Sequence, residues 1–319
     1  MRILVTGASG FVGSNTCSHL EAAGHDVIRV VHSQKFGLLN EYSVDIAEAE
    51  SFAALNNVGD IDAIVHCAGI AHRFGQTSRD EFWRVNVDGA RNVADFAARK
   101  QVNSFVHLSS VLVYGPSTSS RPVAEDQTPA PGDNYAASKL AGEVAVSEVC
   151  SAGKMNLTIL RPVPVIGEGS RGNISRLIRA LDRKRFVWIG DGRNLRSFVD
   201  VSDVAGAVLA SIGTNGSLMV FNVTGGTMTV REMLEAVSDE LGRPFPARFV
   251  PHKAAKLAVV LSKPLAGLPR LGVYHRTLET WLSNGVYSGE ALMRSGFVPA
   301  TDVRESLRNE VRAYLRSKH

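Results

Sequence analysis

Thr6-Gly7-Ala8-Ser9-Gly10-Phe11-Val12-Gly13 decides how this chain folds. It follows a short β-branched run, Arg2–Thr6, and opens a stretch of helical periodicity, Phe11–Ala23. Glycines spaced GxxGxxG between a strand and a helix permit a tight turn. They also let the backbone approach a pyrophosphate, which sits on the helix N-terminus where free N–H groups and the dipole favour an anion. A glycine-rich turn can arise by chance, but its position directly after a first strand makes it a dinucleotide fingerprint. Gly7, Ser9, Gly10, Phe11, Val12 and Gly13 are candidate cofactor-binding residues, and the cofactor class is NAD(P)(H).

Outward from this loop, short apolar runs alternate with helical stretches. Asp26–Val31, Ala63–His66, Ser104–Leu108 and Leu157–Leu160 read as strands, and Arg79–Lys100 and Asn134–Ser151 as helices. Strands buried on both faces read as continuous apolar runs, as AIV and FVHL do. The predicted fold class is α/β, a Rossmann doubly wound parallel sheet with a smaller C-terminal substrate-binding lobe. Past Val165 glycine and arginine dominate up to Arg196; a strand at Met219–Val223 and a helix at Val230–Leu241 follow. The expected division is 1–165 for the dinucleotide domain, with 197–225 returning to it, and 166–196 with 226–319 for the second lobe.

Composition narrows the class. A net charge of +4 is too small to argue for nucleic acid and suits an anionic small substrate. Cys17, Cys67 and Cys150 are widely spaced and odd in number, which points to a reduced, cytoplasmic protein. The apolar N-terminus ends at once in glycines, unlike a signal peptide. The greasiest helical stretch, Ala254–Leu261, is far shorter than the roughly 20 residues that span a bilayer. No membrane segment is expected. No histidine pair has metal-ligand spacing, so no metal is predicted, and His66 and His107 read as packed strand residues.

Dinucleotide folds often carry a carboxylate at the end of the second strand for the adenosine ribose. Here that stretch is Val30-Val31-His32-Ser33-Gln34-Lys35. His32 and Lys35 suit a 2′-phosphate better, which tilts the reading toward NADP(H). Asp45-Ile46, after a weak third strand, either caps the adenine or forms the N-cap region of a helix at Ala47–Ala54.

Tyr135-Ala136-Ala137-Ser138-Lys139 places Tyr135 and Lys139 four residues apart, on one face of a helix. A phenol titrates near 10, and a nearby ammonium is expected to lower that value so that Tyr135 can exchange a proton. Ser110 follows the strand ending at Leu108, at the sheet edge where such folds bind ligands, and its hydroxyl can donate to a substrate oxygen. A Tyr–Lys pair on a helix is common as a packing pair; its place after the glycine loop and after SSVLVYG gives it meaning.

With these motifs in order, the sequence resembles the extended short-chain dehydrogenase/reductases, in particular the nucleotide-sugar epimerase/dehydratase group. The resemblance runs through TGASGFVG, VHCAG at Val65–Gly69, NVDG at Asn86–Gly89, LSSVLVYG at Leu108–Gly115 and YAASK. It continues through LRPVPVIG at Leu160–Gly167, RSFVDVSDVA at Arg196–Ala205 and SGEALMRSGFVP at Ser288–Pro299. It implies that Cys67, Ala68 and Gly69 lie along the cofactor and that Asn86, Ser109, Pro162, Tyr135 and Lys139 complete its site. It further implies a catalytic set of Ser110, Tyr135 and Lys139 beside Ser109. Ser110, Asn173 and Arg196 would hold the substrate, Asn173 and Arg196 at its diphosphate, where arginine's fork fits phosphate oxygens. Arg176, Arg179, Arg183, Lys184 and Arg185 read as a solvated helix face.

Two departures matter. Pro164 stands where 4-epimerases carry an asparagine. Val111 and Leu112 stand where dehydratases carry an acidic pair, which argues against dehydration. The resemblance implies oxidoreduction at sugar C4 of a nucleotide sugar, most plainly a UDP-hexose or UDP-N-acetylhexosamine 4-epimerase. The alternative is an NADPH-dependent 4-keto-sugar nucleotide reductase of surface polysaccharide synthesis; lesser ones are a small-carbonyl reductase and a non-catalytic dinucleotide sensor. A homodimer through the helices of 79–100 and 134–151 is expected.

Overall fold

The computed structural model describes all of the chain except residues 34–36, 39, 72–76, 117–120, 171, 215, 247, 263–281 and 319. Lys35 therefore lies outside the described residues. β1 (Arg2–Thr6) leads through the glycine loop into α1 (Phe11–Ala22), then β2 (Asp26–Val31), β3 (Glu41–Ser43) and β4 (Ala63–His66). α2 (Arg79–Trp83) and α3 (Gly89–Arg99) precede β5 (Ser104–Leu108), and α4 (Asn134–Ala152) precedes β6 (Asn156–Pro162). The second half holds β7 (Val165–Ile166), α5 (Asn173–Asp182), β8 (Trp188–Ile189), β9 (Leu195–Asp200), α6 (Val201–Ser211) and β10 (Leu218–Val223). It ends with β11 (Gly226–Thr229), α7 (Val230–Glu240), β12 (Phe249–Val250), α8 (His252–Ser262), α9 (Glu290–Arg294) and α10 (Val303–Arg316).

Seven parallel strands form the main sheet in the order β10-β6-β5-β4-β1-β2-β3. Its central strands are apolar on both sides because both faces are covered. Ile3, Val5, Val65 and Val106 pack toward α1 and α6; Leu4, Ile64, Phe105 and Leu157 pack toward α3 and α4. Each such fully buried side chain contributes about 1.5–3 kcal/mol of transfer free energy. The registers Thr6↔His66, His66↔His107 and Leu108↔Leu160 bring the C-terminal ends of β1, β4, β5 and β6 level. That edge carries the site.

Two findings depart from the pattern read in the sequence. Arg79–Lys100 is not one helix: a π-helical turn at Arg84–Asp88 separates α2 from α3. The extra residue turns Asn86 inward, where it is buried. Of the stretch 197–225, α6 packs on α1 and β10 joins the main sheet, but β9 pairs with β7 and β11 in a separate three-stranded sheet. That small sheet shares a core with α5, α7 and α10 through Ile166, Ile178, Phe198, Leu234 and Leu307.

Candidate active site

The glycine loop is built so that only glycine fits at two positions. Gly7 has φ +69°, and a Cβ there would stand 2.7 Å from the Ala68 nitrogen. A Cβ on Gly13 would stand 2.1 Å from the Gly7 carbonyl oxygen. Gly10 caps α1 without a side-chain hydrogen bond, and the first turn of α1 has no acidic residue. Ser9 and Gly10 are exposed, Phe11 and Val12 half-buried. The result is a close backbone cradle at a bare helix N-terminus, which fits a dinucleotide pyrophosphate.

Ala68 closes the cradle from β4, its N–H 3.3 Å from the Thr6 hydroxyl, and Thr6 also bonds His66 Nδ1 at 2.7 Å. Burial pushes the neighbouring Cys67 thiol up to about 12, so it stays protonated. Asn86 does not point at open space. It accepts from the Ile70 N–H at 2.9 Å, donates to the Ile70 carbonyl at 3.1 Å and to Ser138 Oγ at 2.9 Å. Its amide fixes the Gly69–Ile70 loop against α4, and Gly69 lies beside it and beside Lys139 Nζ. A π-bulge beside a functional site is a recurrent device for turning one residue inward.

At the far end, His32 Nε2 and Arg84 Nη1 each lie 3.6 Å from Asp45 Oδ2. The other Asp45 oxygen accepts from the Ala47 N–H at 3.0 Å. Asp45 thus closes a local turn ahead of a 3₁₀ helix at Ala49–Leu55, whose N-cap is Glu48 rather than Asp45, and also faces the His32 ring and the Arg84 guanidinium. Arg84 escaped the sequence reading, because nothing in its neighbourhood marks it until the π turn is known. Ile46 is buried against α3, its Cδ1 2.9 Å from where a Gly89 Cβ would be.

The catalytic candidates converge. Asp133 caps α4 by accepting from the Ala136 N–H at 2.8 Å, which starts the helix just before Tyr135. Ser110 follows β5, its Oγ accepting from the Leu112 N–H at 3.2 Å, and its side chain stands against that of Tyr135. The Tyr135 ring packs at 5.9 Å against Phe82 of α2. Lys139 is buried and donates to the Leu108 carbonyl at 2.6 Å.

One expectation is corrected here. Burial pushes Tyr135 up to about 12, and the group that opposes the rise is Ser110, not Lys139. Burial likewise brings Lys139 down to about 8. Spacing places both side chains on one face, but the lysine spends its charge on Leu108, and desolvation outweighs its pull on the phenol. Beneath them His66 and His107 stack at 5.2 Å, fully buried, and His107 has no hydrogen-bond partner on either nitrogen among the described residues.

Ser109 lies behind Ser110, its N–H donating to the Leu160 carbonyl at 2.7 Å and its hydroxyl bonded to Glu143. Pro162 ends β6 beside Val223 of β10. In the second lobe Asn173 is exposed at the start of α5, whose N-cap Gly172 makes no side-chain bond. Arg196 lies on β9 and donates to the Ser283 carbonyl at 2.6 Å; burial lowers its pKa. Beside it opens a cleft of about 260 Å³ lined by Gly190, Asp191, Arg193, Asn194, Leu282 and Asn284. Sequence reasoning missed this lining, because 190–194 and 282–284 are far apart in the chain and meet through long-range contacts such as the Asn194 amide donating to the Ser283 carbonyl at 3.2 Å. Among the described residues no group of three or more His, Cys, Asp or Glu is placed to hold a metal, and no helix is long and apolar enough to cross a membrane.

The model of the NAD dependent epimerase/dehydratase family matches residues 3–224. The chain belongs to that family. It is 31% identical over 277 residues to the UDP-glucose 4-epimerase of Mycolicibacterium smegmatis, covering 81% of this chain and 88% of the relative. It is 29% identical over 258 residues to the GDP-6-deoxy-D-mannose reductase of Pseudomonas aeruginosa, covering 75% and 79%. Among solved structures, MoeE5 in complex with UDP-glucose and NAD superposes with a TM-score of 0.80 at 26% identity, covering 100% of both chains. The protein is an enzyme of the extended short-chain dehydrogenase/reductase type with a Rossmann dinucleotide domain.

Proposed function

We propose that the protein is a 4-epimerase of a UDP-hexose or UDP-N-acetylhexosamine. The observation that carries this reading is the convergence of Ser110 after β5 with Tyr135 and, one turn on, Lys139, at the sheet edge that also holds the glycine cradle. Bound nicotinamide would accept the hydride from sugar C4 and return it to the opposite face. Tyr135, as the phenolate, would take the C4 hydroxyl proton as the keto sugar forms and give it back on reduction, so each turnover is proton-neutral. Ser110 would hold the same oxygen by donating to it. Lys139 would exchange its bond to Leu108 for the nicotinamide ribose hydroxyls. Gly7, Ser9, Gly10, Phe11, Val12 and Gly13 would cradle the pyrophosphate, with Cys67, Ala68, Gly69, Ser109 and Pro162 along the cofactor. Asn86 would shape that wall through Ile70. Asn173 and Arg196 would take the substrate diphosphate, and the cleft beside Arg196 would admit the rest of the nucleotide. The same reading makes the protein a cytoplasmic homodimer.

A second reading is supported by one observation. The end of β2 offers His32, with Arg84 across Asp45, in place of a carboxylate directed at a ribose. That favours NADP(H) and, with it, a 4-keto-sugar nucleotide reductase. Thermal shift with UDP-, GDP- and dTDP-sugars, each with NAD or NADP, tests both. Bound ligand raises stability by mass action, about 2.7 kcal/mol at a hundredfold excess over Kd. A shift with UDP-sugars and NAD supports the epimerase. A response to other nucleotides alone, or to NADP alone, contradicts it.

A further inference from the structure

Directly behind the catalytic candidates the protein buries an ion pair that the proposed chemistry does not use. Glu143 stands one helical turn after Lys139, and its side chain is 5% exposed; that of Arg161, on β6, is 7% exposed. Arg161 holds the carboxylate with both arms of its fork, Nε to Oε1 at 3.0 Å and Nη2 to Oε2 at 2.6 Å. The Ser109 hydroxyl donates to the same carboxylate. On its far side Arg161 donates to the Tyr114 hydroxyl at 2.8 Å, which donates to Asn222 Oδ1 of β10 at 2.9 Å. A buried ion pair adds little stability over an apolar pair of the same shape, since desolvation consumes the Coulomb gain. Its presence here calls for another account.

The surroundings of Lys139 supply one. On its own helix it meets Tyr135 and Glu143; from β4 and the residue after it come His66 and Cys67; from β5 comes His107; from the π turn comes the neutral Asn86; and Arg161 lies beyond Glu143. Burial keeps both histidines neutral and the thiol protonated. Glu143 is thus the anion acting on Lys139 among the described residues. Desolvation draws the lysine toward its neutral form; Glu143 is the largest influence opposing it.

We infer that Glu143 is a positioning residue: pinned by Arg161 and Ser109, its carboxylate is held one helical turn from Lys139 and locks the Ser109–Ser110 turn beside the catalytic candidates. This rests on the reading of Lys139 as the partner of Tyr135. The titration arm of the test needs no sugar nucleotide, so its failure and the failure of the substrate assignment are distinguishable. Trace acetylation of the full-length protein across pH 6–11, read by peptide mass spectrometry, gives the titration midpoint of Lys139 directly. Glu143→Gln keeps the shape and removes the charge. It should lower the midpoint by about one pH unit, a tenfold loss of proton affinity, and move the alkaline limb of kcat down with it while leaving substrate KM in place. Should Glu143→Gln fail to fold, the double variant Glu143→Gln, Arg161→Gln leaves no unpaired charge. It should shift the midpoint in the same direction, because Glu143, and not Arg161, is the charge that bears on Lys139. A midpoint equal to or above the parent's in a folded variant overturns the inference.

Discussion

Replacing Gly13 by alanine isolates the cradle from the rest of the fold. Helix propensity alone favours the change, since alanine in a helix interior is about 1 kcal/mol better than glycine. The structure opposes it: the new methyl would lie 2.1 Å from the Gly7 carbonyl oxygen and 2.8 Å from the Gly7 carbonyl carbon. Both are backbone atoms, so no side chain can swing aside, and α1 must lift from the loop. Overpacking of this kind costs about 1–3 kcal/mol. After the propensity gain the net loss is up to about 2 kcal/mol, or a fall of up to roughly 8 °C in Tm. The lifted helix no longer presents its first N–H groups to a pyrophosphate, so NAD affinity should fall more than tenfold, a larger effect than the stability change. Gly24→Ala is the control. Gly24 has φ +82° with nothing near its Cβ position, so alanine there strains the backbone and leaves NAD binding unchanged. Thermal unfolding and NAD titration on both variants decide. A Gly13→Ala protein with parental Tm and parental NAD affinity would refute the reasoning.

Tyr135→Phe removes one hydroxyl and keeps the ring against Phe82; turnover should fall about 10²–10⁴-fold with little change in Tm, and unaltered turnover would remove Tyr135 from the chemistry. Lys139→Met should inactivate the protein yet stabilise its cofactor-free form. Burial holds the lysine at about 8 against an ordinary 10.5, so folding is penalised below pH 8 and the penalty fades as pH rises toward 10.5. The variant should gain about 1–3 kcal/mol below pH 8, after the lost bond to Leu108, and no gain in urea unfolding at pH 7 would contradict this. Asp182 is the opposite case. Bonds from Lys318, then from Arg243 at 3.0 Å and Tyr314 at 2.9 Å, hold its carboxyl well below the ordinary range. The stability it contributes is present above about pH 4, the unfolded value, and is lost as pH falls further. Asp182→Asn should therefore lower Tm at pH 7, and the gap to the parent should close on acidification below pH 4; a gap independent of pH would show the bonds contribute nothing through charge.

The main sheet was legible because parallel strands buried on both faces, such as Ile3–Val5 and Ala63–Val65, leave continuous apolar runs. The loop and the Tyr–Lys helix were legible because their chemistry depends on fixed short spacings. What the sequence hid was set by long-range packing. The π turn at Arg84–Asp88 adds a single residue, and the helical pattern passes through it almost undisturbed. Ser197-Phe198-Val199 reads as a buried strand whichever sheet receives it, so the departure of β9 from the main sheet left no mark. Glu143 and Arg161 pair across a helix and a strand, and neither residue signals the other. The pKa of Tyr135 depends on how deeply its hydroxyl is buried, which spacing does not reveal.

The most direct test of the proposed function is to incubate the purified protein with UDP-glucose or UDP-N-acetylglucosamine and follow the sugar by proton NMR while the nicotinamide absorbance is recorded. Inversion at C4 with no net change in reduced cofactor is the predicted result. Stoichiometric oxidation of NADPH with a 4-keto sugar nucleotide, without interconversion of the C4 epimers, would contradict it.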